Sequence, residues 1–228
     1  MKRILCFGLI LCTFLLFGCG KKTSEEDLAA TTAALSEYRF TDVNGLDFTA
    51  VFSYRGPYVE DGTNENLENV SAIRVLNSSE HTVRYAEITA FTGMGELHFI
   101  CTTLLPGRNA LLQEVSRAPF LGAQTTQVKV DSKVDFDSPL TLYPEVFDIN
   151  VENGVMTLKN NSPVPVPGDT YIYFKRFDRD GYVGGITYRI GFSDLAAGAT
   201  VSRSSENLSE NDFDILFIGC ENPPEVKS

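Results

Sequence analysis

The chain has 228 residues with 30 acidic and 19 basic side chains, which gives a formal net charge of −11 at pH 7. Proteins that bind nucleic acid draw much of their affinity from lysine and arginine that neutralise phosphates, so a chain this acidic is not expected to bind nucleic acid. The length exceeds that of one typical domain and suits two domains of about 100 residues each after a leader is removed.

The first segment of the chain has the features of an export signal. Lys2 and Arg3 precede residues 4–17, a run of 14 residues without a charge. A transmembrane helix needs about 20 apolar residues, so this run is too short to span a bilayer comfortably. A basic start followed by a short apolar core predicts a signal peptide over residues 1–18 that is removed on export.

The apolar run ends in Leu16-Phe17-Gly18-Cys19. This string resembles the lipobox of bacterial lipoproteins, in which an aliphatic residue stands three positions before a cysteine and a small residue stands directly before it. The resemblance implies that the Cys19 thiol takes up a diacylglyceryl group and attaches the mature chain to the cell membrane, facing outside the cytoplasm. Two acyl chains suffice for stable anchoring, whereas one is marginal. The alternative is an ordinary signal peptide with an incidental cysteine.

Two cysteines follow the anchor, Cys101 and Cys220. In an oxidising compartment they could form a disulfide, but this needs a Cα separation below about 7 Å that a sequence cannot supply. The other interpretation is that they are two small buried apolar residues. The sequence leaves both interpretations open.

Residues 19–37 are rich in serine, threonine, alanine and glutamate, and we interpret them as a spacer. Beyond it, apolar and polar residues alternate, as in Phe48, Ala50 and Phe52. Similar segments recur at residues 73–75, 97–101, 111–115 and 128–130. Alternation of this kind predicts half-buried strands. Because the segments are short and are separated by glycine, proline, asparagine and aspartate, they favour a sandwich of two antiparallel sheets.

The second half of the chain repeats this pattern. Asn153-Gly154 is a strong hairpin signal between residues 149–151 and 155–158, because both residues tolerate positive φ. Further strands are predicted at residues 171–174, 186–190 and 213–217.

The two halves also resemble each other. Residues 73–79 match residues 156–162, since each is a strand that runs into an Asn-Ser or Asn-Asn-Ser turn, and a Leu-x-x-Gly turn follows later in each half. Acidic residues and a proline interrupt the apolar pattern between the halves. We therefore expect an all-β protein with two tandem antiparallel β-sandwich domains, over residues 38–138 and 139–228, after the signal peptide and the spacer.

The order of Asn-Ser turn, aromatic strand and Leu-x-x-Gly turn resembles immunoglobulin-like modules found in tandem on bacterial surface lipoproteins. Residues 171–175 (YIYFK) and 195–198 (LAAG) are most similar to the small sandwich domains called FxLYD. The resemblance implies a role in binding or assembly rather than in catalysis. Folds of this class host many roles, so the site has to define the function.

The sequence contains no clear catalytic or metal-binding constellation, and we expect neither an enzyme nor a cofactor. Nucleophilic catalysis needs a base beside the nucleophile. His81 lies in a predicted turn, and His98 is predicted to lie on the solvent side of its strand, opposite Phe99. The spacing typical of zinc ligands is absent. Calcium binding by the acidic loop at residues 60–68 stays open, and a hydrolase with paired carboxylates is a weaker alternative.

The predicted interaction residues are Arg55, Pro57 and Tyr58, just before the acidic loop, together with Tyr182 in a glycine-rich loop. Loops at the ends of a sandwich often carry recognition, and tyrosine offers a large rigid contact surface. The alternative is that the tyrosines cover the ends of a core. We expect a lipid-anchored, non-enzymatic binding or adhesion module for an envelope protein or a glycan; the alternative is a structural subunit of a cell-envelope complex.

Overall fold

The computed structural model describes residues 37–208 and 213–222, and almost all of their regular structure is β. The all-β sandwich class predicted from the alternating pattern is confirmed. The predicted signal peptide, the lipid-attachment residue Cys19 and the spacer up to residue 36 lie outside the described residues. Within the described part, no helix has the length and apolar character needed to cross a membrane.

The strands of the described residues, in chain order, are β1 Phe40–Thr41, β2 Leu46–Phe48, β3 Phe52–Tyr58, β4 Glu65–Asn77, β5 Val83–Thr92, β6 Gly95–Leu104, β7 Asn109–Gln113, β8 Thr125–Asp135, β9 Phe147–Glu152, β10 Val155–Asn160, β11 Val166–Asp178, β12 Gly181–Val183, β13 Tyr188–Leu195, β14 Thr200–Ser204 and β15 Phe213–Cys220. A 3₁₀ turn spans Glu206–Leu208.

The first half of the described chain is a sandwich of two antiparallel sheets. In one sheet β4 lies between β2 and β7, with β1 beside β2 and β3 also paired with β4; in the other β5 lies between β6 and β8. Inward side chains from both sheets meet in one apolar core, for example Phe48 and Ile73 from the first sheet with Ile88 and Phe99 from the second. This is the arrangement that strict alternation produces when each sheet buries one face.

The second half repeats the same strand order. Here β10 lies between β9 and β14, and β11 lies between β13 and β15. Met156 and Leu158 of β10 pack against Ile172 and Phe174 of β11 in a second apolar core. The predicted hairpin at Asn153-Gly154 is confirmed, since both residues have positive φ, 50° and 74°, and β9 pairs with β10 on either side of them.

A buried asparagine at the end of the equivalent strand makes the same hydrogen bonds in each half. Asn77 donates from Nδ2 to the Leu104 carbonyl (2.9 Å), and Asn160 donates to the Leu195 carbonyl (3.2 Å). In both halves the asparagine Oδ1 accepts bonds from the backbone N–H and the hydroxyl of the serine two residues later. These bonds are the physical reason for the sequence similarity between the halves, because a buried amide needs all its partners.

The two halves are joined through the short strand β12. It pairs with β11 and also, in parallel, with β7 of the first half, with Tyr182 opposite Ala110. Tyr182 and Leu216 from the second half complete the apolar core of the first half. From Glu37 onward the chain forms one compact unit. The division into domains at residues 138 and 139 stays a prediction.

Candidate interaction site

The four predicted interaction residues lie in different environments. Arg55 is exposed and forms a 2.8 Å ion pair with Glu68, whose side chain is also exposed. Exposed pairs of this kind contribute roughly 0–1 kcal/mol. Pro57 is half-buried in β3, and its carbonyl accepts a 2.8 Å hydrogen bond from Gln113 Nε2. Arg55 is thus the exposed member of the predicted set.

Tyr58 belongs to the interior of the first half. Its ring is 1% exposed, and its hydroxyl lies 3.0 Å from the backbone carbonyls of Glu114 and Val115, to which it donates. The guanidinium of Arg117 lies 4.8 Å from the ring centroid. Burial, followed by the nearby Glu60 carboxylate, raises the pKa of Tyr58 to about 12. The ring therefore presents no surface to a partner.

Tyr182 is also buried, at 2% exposure, where β12 meets β7. Its hydroxyl lies 3.2 Å from Asp214 Oδ2, and Lys175 Nζ lies 5.7 Å from its ring centroid. Burial and the charge of Asp214 raise the pKa of Tyr182 far above its usual value. Both tyrosines are buried and cover the end of a core, which is the alternative interpretation of their positions.

The acidic loop after Tyr58 is held by Arg117. This side chain donates to the carboxylates of Asp61 and Glu65, the latter at 2.6 Å. Asp61 also accepts from the backbone N–H and the hydroxyl of Thr63, and these bonds, with Arg117, lower the pKa of Asp61 to about 2. Asp61 and Glu65 are two of the carboxylates for which calcium binding by this loop was considered. Both are thus paired with the guanidinium of Arg117.

Asp61→Asn should remove a pH-dependent part of the stability. Because the pKa of Asp61 is lower in the folded chain, its stabilising effect is complete above the usual value of 3.8 and disappears as the pH falls towards about 2. Denaturant titrations of both proteins between pH 2 and 6 measure this. The difference in the free energy of unfolding should shrink on acidification, and a constant difference across that range would contradict the assignment.

A buried polar cluster that was not predicted from the sequence lies between the halves. Lys175, with 0% exposure, donates from Nζ to the carbonyls of Gly184 (3.4 Å), Gly185 (2.9 Å) and Ile186 (2.9 Å). Glu60 accepts from the N–H of the same Gly185 at 2.9 Å. One glycine peptide thus lies between a buried ammonium group and a carboxylate. Burial lowers the pKa of Lys175 and raises that of Glu60.

Both cysteines of the described residues are free thiols. Cys101 is 1% exposed in the core of the first half, and burial raises the pKa of its thiol to about 11. Cys220 is half-buried in β15, close to the hydroxyl of Thr170. The interpretation as small apolar residues fits both positions.

His98 is exposed and takes part in a chain of hydrogen bonds on the outer face of the second sheet. Its Nδ1 lies 3.1 Å from the hydroxyl of Thr89, which donates to Asp131 at 2.6 Å. Lys129 in turn donates to Asp131 at 2.6 Å. The predicted solvent-facing position of His98 is confirmed. The hydroxyl in this chain donates to the carboxylate, not to the imidazole, so it is not arranged as an activated nucleophile.

A cleft of 210 Å³ lies at the end of the first half, between the β5–β6 hairpin and the connection from β7 to β8. Its wall is mainly apolar and includes Met94, Leu97, Phe120 and Leu121. We refer to it as the end cleft. Clefts that are mostly apolar, with a few placed polar groups, are the usual form of binding sites.

The connection that forms one wall of the end cleft is fixed by hydrogen bonds. Asn69 donates to the Phe120 carbonyl at 3.0 Å and accepts from the Phe120 N–H at 3.2 Å. The Ala118 N–H donates to Glu114 Oε2 (2.8 Å), and the Ala118 carbonyl accepts from the Ser71 N–H (2.8 Å). The wall is therefore preorganised, which reduces the entropy lost when a partner binds.

Ser71 lies in the wall of the end cleft and is fully buried. Its backbone groups are paired, but its Oγ has no hydrogen-bond partner among the described residues. A buried hydroxyl without a partner costs roughly 1–3 kcal/mol. Most native proteins avoid such groups.

The rim of the end cleft exposes two large apolar side chains. Met94 is 66% exposed and Leu121 is 61% exposed. Glu96, also exposed, is the charged residue among those that line the cleft. Neighbouring exposed apolar groups around a concavity are more informative than single ones, because they form a continuous apolar surface.

The fold and the cleft place the chain among all-β sandwich proteins with a concave site at a loop end. No protein-family model, no curated protein and no solved structure matches the chain significantly, so its function is inferred from the site itself.

Proposed function

We propose that this protein is a lipid-anchored binding module that lies outside the cytoplasm and contacts a protein partner through the end cleft. The observation that carries the proposal is the apolar concavity with Met94 and Leu121 exposed at its rim. Apolar side chains exposed together around a cleft are typical of interaction surfaces in otherwise soluble folds.

The position and rigidity of the end cleft support this role. It is built from a hairpin tip and a connecting segment, the parts of a sandwich that carry recognition. Asn69 pins the connecting segment at Phe120 through two hydrogen bonds. A protein partner fits the mainly apolar wall better than a sugar does, because a sugar needs several polar partners at once. The lipobox at Cys19 supports the membrane attachment.

Photo-crosslinking in cells tests the role of the end cleft. A photoreactive amino acid at position 94 should yield a defined protein adduct. The matched control is position 43, because Val43 is 97% exposed but lies in a turn outside the cleft. Leu121→Lys should reduce the adduct at position 94 by about tenfold, since it places a charge in the apolar contact. Equal adducts at positions 94 and 43, or none at either, would contradict the proposal.

A further inference from the structure

We infer that the protein partner binds as a short extended segment that adds a strand to the outer edge of β8, beside the end cleft. This inference rests on the proposed function, because it specifies how the partner of the end cleft is held. Three observations carry it: the free outer edge of β8, the cover on the equivalent edge of the second half, and the bulges that limit the length of the free edge.

The outer edge of β8 has no neighbouring strand. Since β5 lies between β6 and β8, each of these two strands pairs with β5 along one edge only. The other edge of β6 is bonded, because the Thr102 N–H donates to the Gly185 carbonyl at 2.7 Å and the His98 carbonyl accepts from the Val115 N–H at 3.0 Å. The other edge of β8 makes no backbone hydrogen bond within the described residues. The outward N–H and C=O groups of such an edge can pair with another strand.

The second half shows what kind of group covers this edge. The strand β15 is the counterpart of β8, since β11 lies between β13 and β15 as β5 lies between β6 and β8. On the outer edge of β15, the Ile218 N–H donates to the Thr141 carbonyl at 2.9 Å. Thr141 belongs to the connection between β8 and β9. The chain thus supplies main-chain cover to one edge and leaves the equivalent edge to a partner.

Two bulges limit the length of the free edge. The register between β8 and β5 skips Thr126 and Asp131, and between them Gln127–Val130 pairs regularly with Ile88–Phe91. Bulges interrupt pairing and are a usual means of keeping long strands off an edge. The regular part of β8 therefore suits a short added strand. A short segment of a partner fits it better than the long strands of a second copy of this chain do.

The side chains of this part of β8 specify the pattern of the added segment. Val128 and Val130 are half-buried and pack against the core of the first half, whereas Gln127 and Lys129 are exposed on the other face. Lysines often block an edge, but Lys129 is already paired with Asp131 at 2.6 Å. Side chains on adjacent strands contact each other on the same face. We therefore expect apolar residues at every second position of the segment, beside the two valines.

The free edge is continuous with the end cleft. Ala123 lines the cleft, and β8 begins two residues later at Thr125, opposite Thr92, which also lines the cleft. A segment that pairs with β8 can thus place an apolar side chain at its end into the cleft. In strand addition, main-chain hydrogen bonds supply affinity and pockets for side chains supply specificity.

Photo-crosslinking at the edge tests this inference in cells. A photoreactive amino acid at position 127 should give an adduct with the same protein as position 94. The matched control is position 202, because Ser202 is exposed on β14, which also has an edge without a neighbouring strand in the described chain. It should give no such adduct. Leu121→Lys should reduce the adducts at both 94 and 127, since one segment makes both contacts.

A pair of peptides tests whether the main chain makes the contact. The capped peptide Thr-Val-Thr-Val-Thr-Leu, added to membranes that carry the full chain, should compete for the adducts at 94 and 127. The matched control has the same side chains but methylated backbone nitrogens, so it cannot donate main-chain hydrogen bonds. It should compete about tenfold more weakly, because it loses several hydrogen bonds of ordinary strength.

The outcomes separate this inference from the proposed function. An adduct at position 94 without one at position 127 would show that the partner occupies the cleft without adding a strand. Equal competition by the two peptides would show that backbone donors are not used, and no competition by either would show that the edge is closed to an added strand. Each of these results would overturn the inference and leave the cleft as a binding site. If neither position gives an adduct, the proposed function loses its site as well.

Discussion

Gly185→Ala should lower the free energy of unfolding by about 4 kcal/mol or more, the range reserved for severe core defects. A Cβ at this position would lie 1.8 Å from the Ile100 carbonyl oxygen and 2.9 Å from its carbon. Because these are backbone atoms, no side-chain rotation can relieve the clash. The segment would have to move away from β6 and lose the 2.7 Å bond from the Thr102 N–H, together with the bonds to Lys175 and Glu60.

The measurement is thermal unfolding followed by circular dichroism. For a chain of this size about 4 kcal/mol corresponds to a loss of roughly 8–16 °C in Tm. Gly93→Ala is the matched control, since a Cβ at Gly93 meets nothing within 4 Å and its φ is not in the left-handed region. Similar melting temperatures for the two variants would show that Gly185 is not held against Ile100.

Cys19→Ala should abolish membrane attachment. If the lipobox interpretation is correct, the chain is attached to the membrane through acylation of the Cys19 thiol. Alanine has no thiol, so the variant cannot be acylated at this position. Two acyl chains contribute about 0.8 kcal/mol per buried methylene, far more than the few basic residues beside the anchor can replace. The effect is therefore expected to be all-or-none.

Mass spectrometry of the mature N-terminus, with fractionation of the cells, measures this effect. The wild-type chain should begin at an acylated Cys19 and stay with the membrane fraction. The matched control is Cys12→Ala, which changes a cysteine inside the predicted signal peptide and should leave processing intact. An unmodified Cys19 in the membrane-bound wild-type chain would show that something other than this thiol holds the protein there.

The elements that could be predicted from the sequence are those fixed by local rules. Alternation at residues 97–101, which lie in β6, and the positive φ that Asn153-Gly154 tolerates are properties of neighbouring residues. The alternation at residues 48–52 is not one strand, because β2 ends at Phe48 and β3 begins at Phe52. The Asn77 and Asn160 turns were visible as a repeated pattern because each amide bonds its own turn and the Leu-x-x-Gly turn of its half. Local patterns of this kind can be recognised without knowledge of the tertiary contacts, because they depend only on the local conformation.

The candidate site could not be predicted in this way because it depends on distant segments. Lys175 continues an alternating strand, and on sequence alone a lysine there indicates solvent. Its three carbonyl partners come from the loop after β12, which folds back against the first half. Ser71 similarly continues a strand, and only the position of the Ala118 segment makes it part of a cleft. Tyr58 and Tyr182 were predicted to contact a partner because the local sequence does not show which segments are buried under other parts of the chain.

The pairing of β12 with β7 also protects the chain against self-association. An exposed edge strand is a template for another chain, and natural proteins cover such edges or make them short and polar. Four of the five residues of β7 are buried. Without β12, β7 would therefore be an exposed apolar edge strand that could pair with another chain. Its counterpart β14 pairs only with β10 in the described chain, but it is five residues long, mostly exposed and carries Arg203. The two halves thus protect equivalent edges from aggregation in different ways: one edge is covered, and the other is short and polar.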